Sequence, residues 1–263
     1  MRRLIVGTSW KMNKTVSESR AYIRDLSDFM NKNPELTEKI EVFVLPTFLA
    51  IDASSQIVKE RSSRLKIGAQ DCCWEDSGAF TGEVSPMHLS DIGASFVEIG
   101  HAERREIFME TDEMVSKKTA AIIRNNMKPI LCIGEEEKPE KINIALKFLE
   151  YQLLEGLSRI DRADIKNVVI AYEPVWAIGV SASAPLDYLC EAMAFLRDLL
   201  NKKFGDRCGD LQDIIYGGSV TPESAKDILA LPANDGIFVG RSALNVDYFI
   251  SMIKMASDIQ KLK

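Results

Sequence analysis

The sequence predicts an α/β fold, a single (β/α)8 barrel covering residues 1–263, on three observations. Eight short apolar runs rich in β-branched residues recur along the chain. Amphipathic stretches at helical spacing lie between them. No Pro/Gly/Ser-rich linker and no low-complexity tract divides the chain into domains. Continuous apolar runs belong to strands covered on both faces, as in a parallel sheet. Eight such strands alternating with helices close into a barrel, and an open doubly wound sheet with the same periodicity is the alternative.

Taken in order, the first run is Leu4–Thr8, preceded by Met1-Arg2-Arg3, a basic start whose apolar stretch is too short for a secretory signal. Ser17–Met30 reads as a helix with Ala21, Ile23, Leu26, Phe29 and Met30 on one side. Ile40–Leu45, Leu65–Ala69, Phe96–Ile99 and Pro129–Ile133 are the next four strands. The acidic triplet Glu135-Glu136-Glu137 reads as a solvated helix start, where carboxylates suit the positive end of the dipole. Ile142–Leu157 is a helix whose broad apolar face includes Leu146, Leu149 and Leu153. Val168–Tyr172, Asp213–Tyr216 and Gly236–Gly240 complete the strands.

Composition narrows the function. At 46% hydrophobic and 27% charged residues the chain is that of a globular protein with a large core. Five cysteines, an odd count without a pairing pattern, point to a reducing, cytoplasmic compartment. The net charge of -6 offers no field for nucleic acid, and no run approaches the roughly 18 apolar residues of a membrane span. An anionic ligand must therefore be met by a local device. The two histidines lie apart, no Cys-x-x-Cys pair occurs, and no nucleotide fingerprint follows the first strand, so neither a metal nor a cofactor is expected.

In either α/β architecture, function sits just beyond the C-terminal ends of the strands. After the first strand comes Ser9-Trp10-Lys11-Met12-Asn13. A lysine brought into a converging site awaits an anion; otherwise it is a snorkelling surface residue. After the fourth comes Gly100-His101-Ala102-Glu103-Arg104-Arg105. His101 opens a helix whose positive end favours a neutral, hydrogen-bond-donating ring, while His88 reads as structural. Glu103 is placed to pair with Lys11 or with the arginines after it. After the sixth comes Glu173-Pro174, a carboxylate at a buried strand end. Desolvation raises its proton affinity and suits it to general-base work; the structural alternative is a salt bridge to Arg104 or Arg105. After the seventh and eighth come Gly217-Gly218-Ser219 and Gly240-Arg241-Ser242, glycine-containing loops whose amides can approach a phosphate. An ammonium, a neutral imidazole, a desolvated carboxylate and a phosphate cradle are what moving a proton α to a carbonyl requires.

Trp10-Lys11-Met12-Asn13, Gly100-His101-Ala102-Glu103-Arg104-Arg105, Tyr172-Glu173-Pro174-Val175-Trp176-Ala177-Ile178-Gly179 and Tyr216-Gly217-Gly218-Ser219-Val220 stand in the order of the triosephosphate isomerase signatures. The chain resembles that family over nearly its whole length. The resemblance implies a single (β/α)8 TIM barrel that isomerises a small phosphorylated sugar without a cofactor. Glu173 is then the base, His101 the electrophile and Lys11 the charge that holds substrate, with Glu103 beside them. Ser9 and Lys11 are at the substrate, and Gly179, Ser219, Gly240 and Arg241 at its phosphate. Pro174–Ala184 resembles the closing lid and residues 70–83 the dimer loop, with Thr81 at its tip, which implies a homodimer.

The chain departs from the family pattern at substrate contacts. Ser9 stands where the family has asparagine, so one donor replaces two. The lid tip reads Gly179-Val180-Ser181-Ala182-Ser183-Ala184-Pro185 instead of a Gly-Thr-Gly-Lys-Thr-like stretch, and its closing contacts must differ. Arg241 replaces the second of two adjacent glycines, either as a clasp on phosphate or pointing to solvent. Gly7-Thr8-Ser9-Trp10-Lys11-Met12-Asn13 together with Val239-Gly240-Arg241-Ser242-Ala243-Leu244-Asn245-Val246 resembles a branch that interconverts L-erythrulose 1-phosphate and D-erythrulose 4-phosphate in erythritol breakdown. The lead expectation is the triose phosphate reaction of glycolysis and gluconeogenesis, and the tetrulose reaction is the alternative. A barrel that only binds a phosphorylated metabolite is a further alternative, against which intact Lys11, His101 and Glu173 weigh.

Overall fold

The computed structural model describes residues 3–180, 182–205 and 207–262. The eight expected runs are its eight strands, their ends moved by at most two residues: β1 Leu4–Ser9, β2 Ile40–Leu45, β3 Lys66–Ala69, β4 Phe96–Ile99, β5 Lys128–Ile133, β6 Val169–Tyr172, β7 Asp213–Gly218 and β8 Gly236–Val239. All pair in parallel in sequence order, and β8 returns to β1 through Ile5↔Gly236 to Thr8↔Val239. That closing ladder removes the open-sheet alternative. Closure leaves no strand edge unpaired.

Every strand is nearly or wholly buried because its two faces serve different cores. Side chains alternate in direction along a strand. One set, including Val6, Val44, Val97, Leu131 and Ile170, packs outward against the helices. The other fills the barrel with Ile5, Phe43, Leu45, Phe96, Ile130, Cys132, Val169, Ala171, Ile215 and Phe238. The Phe43 ring lies 4.8 Å from Phe96 and 5.6 Å from Phe238, centroid to centroid. Gly7 is required there, since a Cβ would stand 2.0 Å from the Phe43 ring.

The outer helices follow their sequence signals. Val16–Lys32 extends the expected helix by a capping box in which Thr15 and Glu18 satisfy each other's backbone N–H groups. Ile142–Gly156 matches the expected Ile142–Leu157. The acidic triplet departs from expectation: the helix after β5 begins only at Ile142, and Glu135 is buried in the loop while Glu136 and Glu137 are exposed. Glu135 is held inside by aromatic donors described below, a tertiary arrangement that local dipole reasoning does not contain. No described helix is long and apolar enough to cross a membrane. All five cysteines are free thiols.

Candidate active site

The alternation that fills the barrel also builds the site. Continued to the C-terminal ends of the strands, the inward-facing set reaches Ser9 on β1, Glu98 on β4, Cys132 on β5, Glu173 just after β6, Gly217 on β7 and Gly240 just after β8. These residues crown the apolar interior, so their polar atoms sit where water is scarce. Above them opens a cavity of about 660 Å³ lined by Ser9, Lys11, Glu98, His101, Glu103 and Glu173 on one side. Gly179, Ser219, Gly240 and Arg241 line the other. The structure thus gathers every expected site residue except Thr81, which is exposed on the loop 70–83 away from the cavity. Ser181 of the expected lid lies outside the described residues.

Lys11 is held in a strained backbone. Its φ is +51°, a left-handed conformation that costs a non-glycine residue free energy unless its surroundings fix it. The side-chain amide of Gln70 donates to the Lys11 carbonyl at 2.9 Å and to the Leu45 carbonyl at 3.0 Å, and the Trp10 N–H donates to Leu45 at 3.1 Å. The Lys11 ammonium then reaches Glu103 Oε1 at 2.6 Å and stands 3.2 Å from His101 Nε2. Lys11 therefore lines the cavity beside His101 and Glu103 instead of snorkelling to the surface.

His101 caps the five-residue helix Ala102–Glu106, its Nδ1 accepting the Glu103 N–H at 3.1 Å. An accepting Nδ1 puts the ring proton of neutral imidazole on Nε2, which faces the cavity 3.4 Å from Glu173 Oε2. Burial, and then the Lys11 charge, lower the His101 pKa to about 4. The neutral ring agrees with expectation, and desolvation and an adjacent ammonium act there beside the helix start that His101 caps.

Glu173 is buried and raised to about 7, mainly by burial, with Lys11 opposing and Glu103 reinforcing the shift. The alternative salt bridge is absent: Arg104 pairs with Asp71 and Glu110, and Arg105 with Asp112. Gly217 has to lack a side chain, because a Cβ would lie 2.3 Å from Glu173 Oε1.

Sequence reading passed over Glu98 and Cys132. Glu98 lies inside the barrel, accepting the Ser9 hydroxyl at 2.7 Å and lying 4.0 Å from the Cys132 thiol. Burial and the nearby Glu173 raise it to about 8, so at neutral pH it is mostly protonated. A lone charge within Phe96-Val97-Glu98-Ile99, in register with the inward set, was the available signal. Glu98, Cys132 and Glu173 each bring a potential ligand atom within 4.8 Å of the others. Burial pushes the thiol up as well, and metal ligation needs deprotonated donors.

Ser9 differs from a substrate donor in one respect: its hydroxyl proton is given to Glu98. The Ser219 N–H donates to the Ala177 carbonyl at 3.2 Å, joining the loop after β7 to the segment that follows Glu173. Arg241 is exposed at the cavity rim. His88 is exposed on the helix Pro86–Asp91, away from the site.

Sequence comparison agrees with this geometry. The family model for triosephosphate isomerase matches residues 4–256. A curated triosephosphate isomerase of Trichlorobacter lovleyi is 39% identical over 254 residues, covering 97% of this chain and 99% of that relative.

Proposed function

The chain belongs to the triosephosphate isomerase family, and on that premise we propose that it interconverts glyceraldehyde 3-phosphate and dihydroxyacetone phosphate through an enediolate. The observation that carries the reading is the contact of His101 Nε2 with both Lys11 Nζ and Glu173 Oε2. A carboxylate base, a neutral N–H donor and an ammonium converge on one small volume. In dihydroxyacetone phosphate, Glu173 takes a proton from the carbon bearing the free hydroxyl. The electrons move into the carbonyl, and the developing oxyanion is met by the His101 N–H and the Lys11 ammonium. A proton then passes from the neighbouring hydroxyl to that oxygen by way of His101 Nε2, and Glu173 returns its own proton to the former carbonyl carbon, which leaves the aldehyde at the other. A base raised to about 7 both accepts and releases a proton near neutral pH.

The phosphate is held at the other wall by the backbone amides of Gly179 and Gly240 and by Ser219 and Arg241. Closure of the lid then keeps water from an enediolate that would otherwise expel phosphate.

One observation favours a second reading. L-erythrulose 1-phosphate is dihydroxyacetone phosphate with a hydroxymethyl on the carbon that loses the proton. Ser9 is small and turned to Glu98, which leaves space at that end of the cavity. The same proton-transfer groups then yield D-erythrulose 4-phosphate. Assaying both sugars side by side on one purified preparation decides between them: the larger kcat/KM identifies the substrate, and turnover of neither removes the isomerase reading.

The same proposal includes a cytoplasmic homodimer, supported by free thiols and by apolar side chains exposed on loops at one end of the barrel. Met12 is 95% exposed and Leu49 86%, with Ile107 and Phe108 also open to solvent. Light scattering of the purified protein should give twice the monomer mass.

A further inference from the structure

The loop between Glu173 and the helix Leu186–Phe204 is tethered at both ends, and one tether is a carboxylate that the isomerase chemistry does not use. Glu135, buried after β5, accepts the Trp176 indole N–H at 2.8 Å and the Tyr188 hydroxyl at 2.7 Å on the same oxygen, Oε1. Tyr172, the last residue of β6, donates to the same carboxylate at 3.2 Å and 3.3 Å. The Glu135 backbone carbonyl accepts the Val175 N–H at 2.9 Å. Trp176 belongs to the leading end of the lid, whereas Tyr188 lies in the first turn of the helix that follows it. Their rings also meet edge to face, with centroids 5.5 Å apart and planes at 80°. At the trailing end, the Ala184 N–H donates to the Tyr216 hydroxyl at 3.1 Å.

We infer that Tyr188 is a positioning residue for the lid: through Glu135 it fixes Trp176, and so couples the helix after the lid to the segment adjoining the base Glu173. The inference rests on the isomerase reading, since only an enediolate needs this loop to close. A buried carboxylate draws charge-assisted hydrogen bonds from each donor it meets, so its position depends on all of them together. Burial, and next the bond to Glu135, raise the Tyr188 hydroxyl well above its ordinary value, which keeps it a donor. Loss of the Tyr188 hydroxyl leaves the ring contact in place and removes the shortest of the three bonds on Glu135 Oε1. Trp176 then gains freedom, the amides of Val175 and Ile178 open more often, and the lid closes less surely over the reacting sugar.

Tyr188→Phe is the direct test, read first by hydrogen exchange of the protein without any sugar. The lid segment 174–180 should exchange about threefold faster or more, with the barrel strands unchanged. On the sugar phosphate that the wild type turns over, kcat/KM should fall about three- to tenfold while more inorganic phosphate is released per turnover. Because Tyr188 acts through Trp176, the same change made in a Trp176→Phe background should add little. Glu135→Gln, which keeps shape and loses charge, should loosen the same segment. Unchanged lid exchange in Tyr188→Phe, or effects that add fully in the Trp176→Phe background, would overturn the inference. Absence of turnover by the wild type on every sugar phosphate would break the isomerase reading instead, and the exchange comparison would still report on the clasp.

Discussion

The two walls of the cavity are built differently. At the reacting wall, Lys11, His101, Glu103 and Glu173 touch one another at distances from 2.6 Å to 3.4 Å. At the wall proposed to hold phosphate, Gly179, Ser219, Gly240 and Arg241 line the cavity, and on that proposal much of the recognition rests on backbone amides. The reacting wall is fixed because proton transfer depends on fractions of an ångström and on pKa values set by burial. The phosphate wall can wait for its ligand, since a dianion meets several donors from any reasonable approach. The first wall should therefore govern kcat and the second KM.

The largest effect is expected at the base. Glu173→Gln should fold normally and lose about 10³- to 10⁴-fold in kcat. A folded variant with near-wild-type turnover would erase the distinction between the walls. Lys11→Ala comes next, because in the proposed mechanism its ammonium serves both walls by binding the dianion and meeting the oxyanion. A loss of about 10²- to 10³-fold in kcat/KM is expected, with KM clearly raised. A low KM retained by that variant would assign the anion to other residues. Arg241→Gln should raise KM about tenfold with kcat preserved, and an unaltered KM would mean that the guanidinium faces solvent.

The elements that carried the sequence reading were those with local signals. Eight apolar runs became eight strands, and Lys11, His101 and Glu173 follow strand ends as the barrel rule requires. What local reading lacked was the inward and outward parity of the strands. Counting back in twos from Glu173 gives Ala171 and Val169; Cys132 pairs with Ala171 and Ile130 with Val169, and Glu98 pairs in turn with Ile130, which puts both Cys132 and Glu98 in the inward-facing set. The barrel register supplies that information, and no single segment does. Glu135 was misread for a related reason: its three aromatic donors come from residues 172, 176 and 188, far from it in sequence. For the neutral His101, the fold adds burial and the Lys11 ammonium to the helix start that the local sequence supplies.

A smaller effect separates the reacting wall from an ordinary core. Glu98 and Glu173 sit near 8 and 7 against an ordinary value of 4.5. Between 4.5 and those values the native protein binds more protons than the unfolded chain, so this pair makes stability fall as pH rises. The slope reaches at most about 1.4 kcal/mol per pH unit for each group. Glu98→Gln should flatten the decline in Tm between pH 5 and pH 8, and an unchanged slope would mean that Glu98 is ionised throughout. The least change is expected for Ser9→Asn, which adds a donor and fills space at the reacting end. It should shift the ratio of triose to tetrulose phosphate turnover toward the triose by about tenfold or less, with proton exchange retained.

Proton abstraction by Glu173 is the claim on which the contrast between the walls depends. Solvent deuterium measures it directly: in heavy water, sugar phosphate incubated with the wild type should acquire deuterium on the carbon beside the carbonyl. Glu173→Gln should leave that carbon unlabelled over the same interval. Unlabelled sugar from the wild type with every triose and tetrulose phosphate, or equal labelling by the variant, would contradict the account.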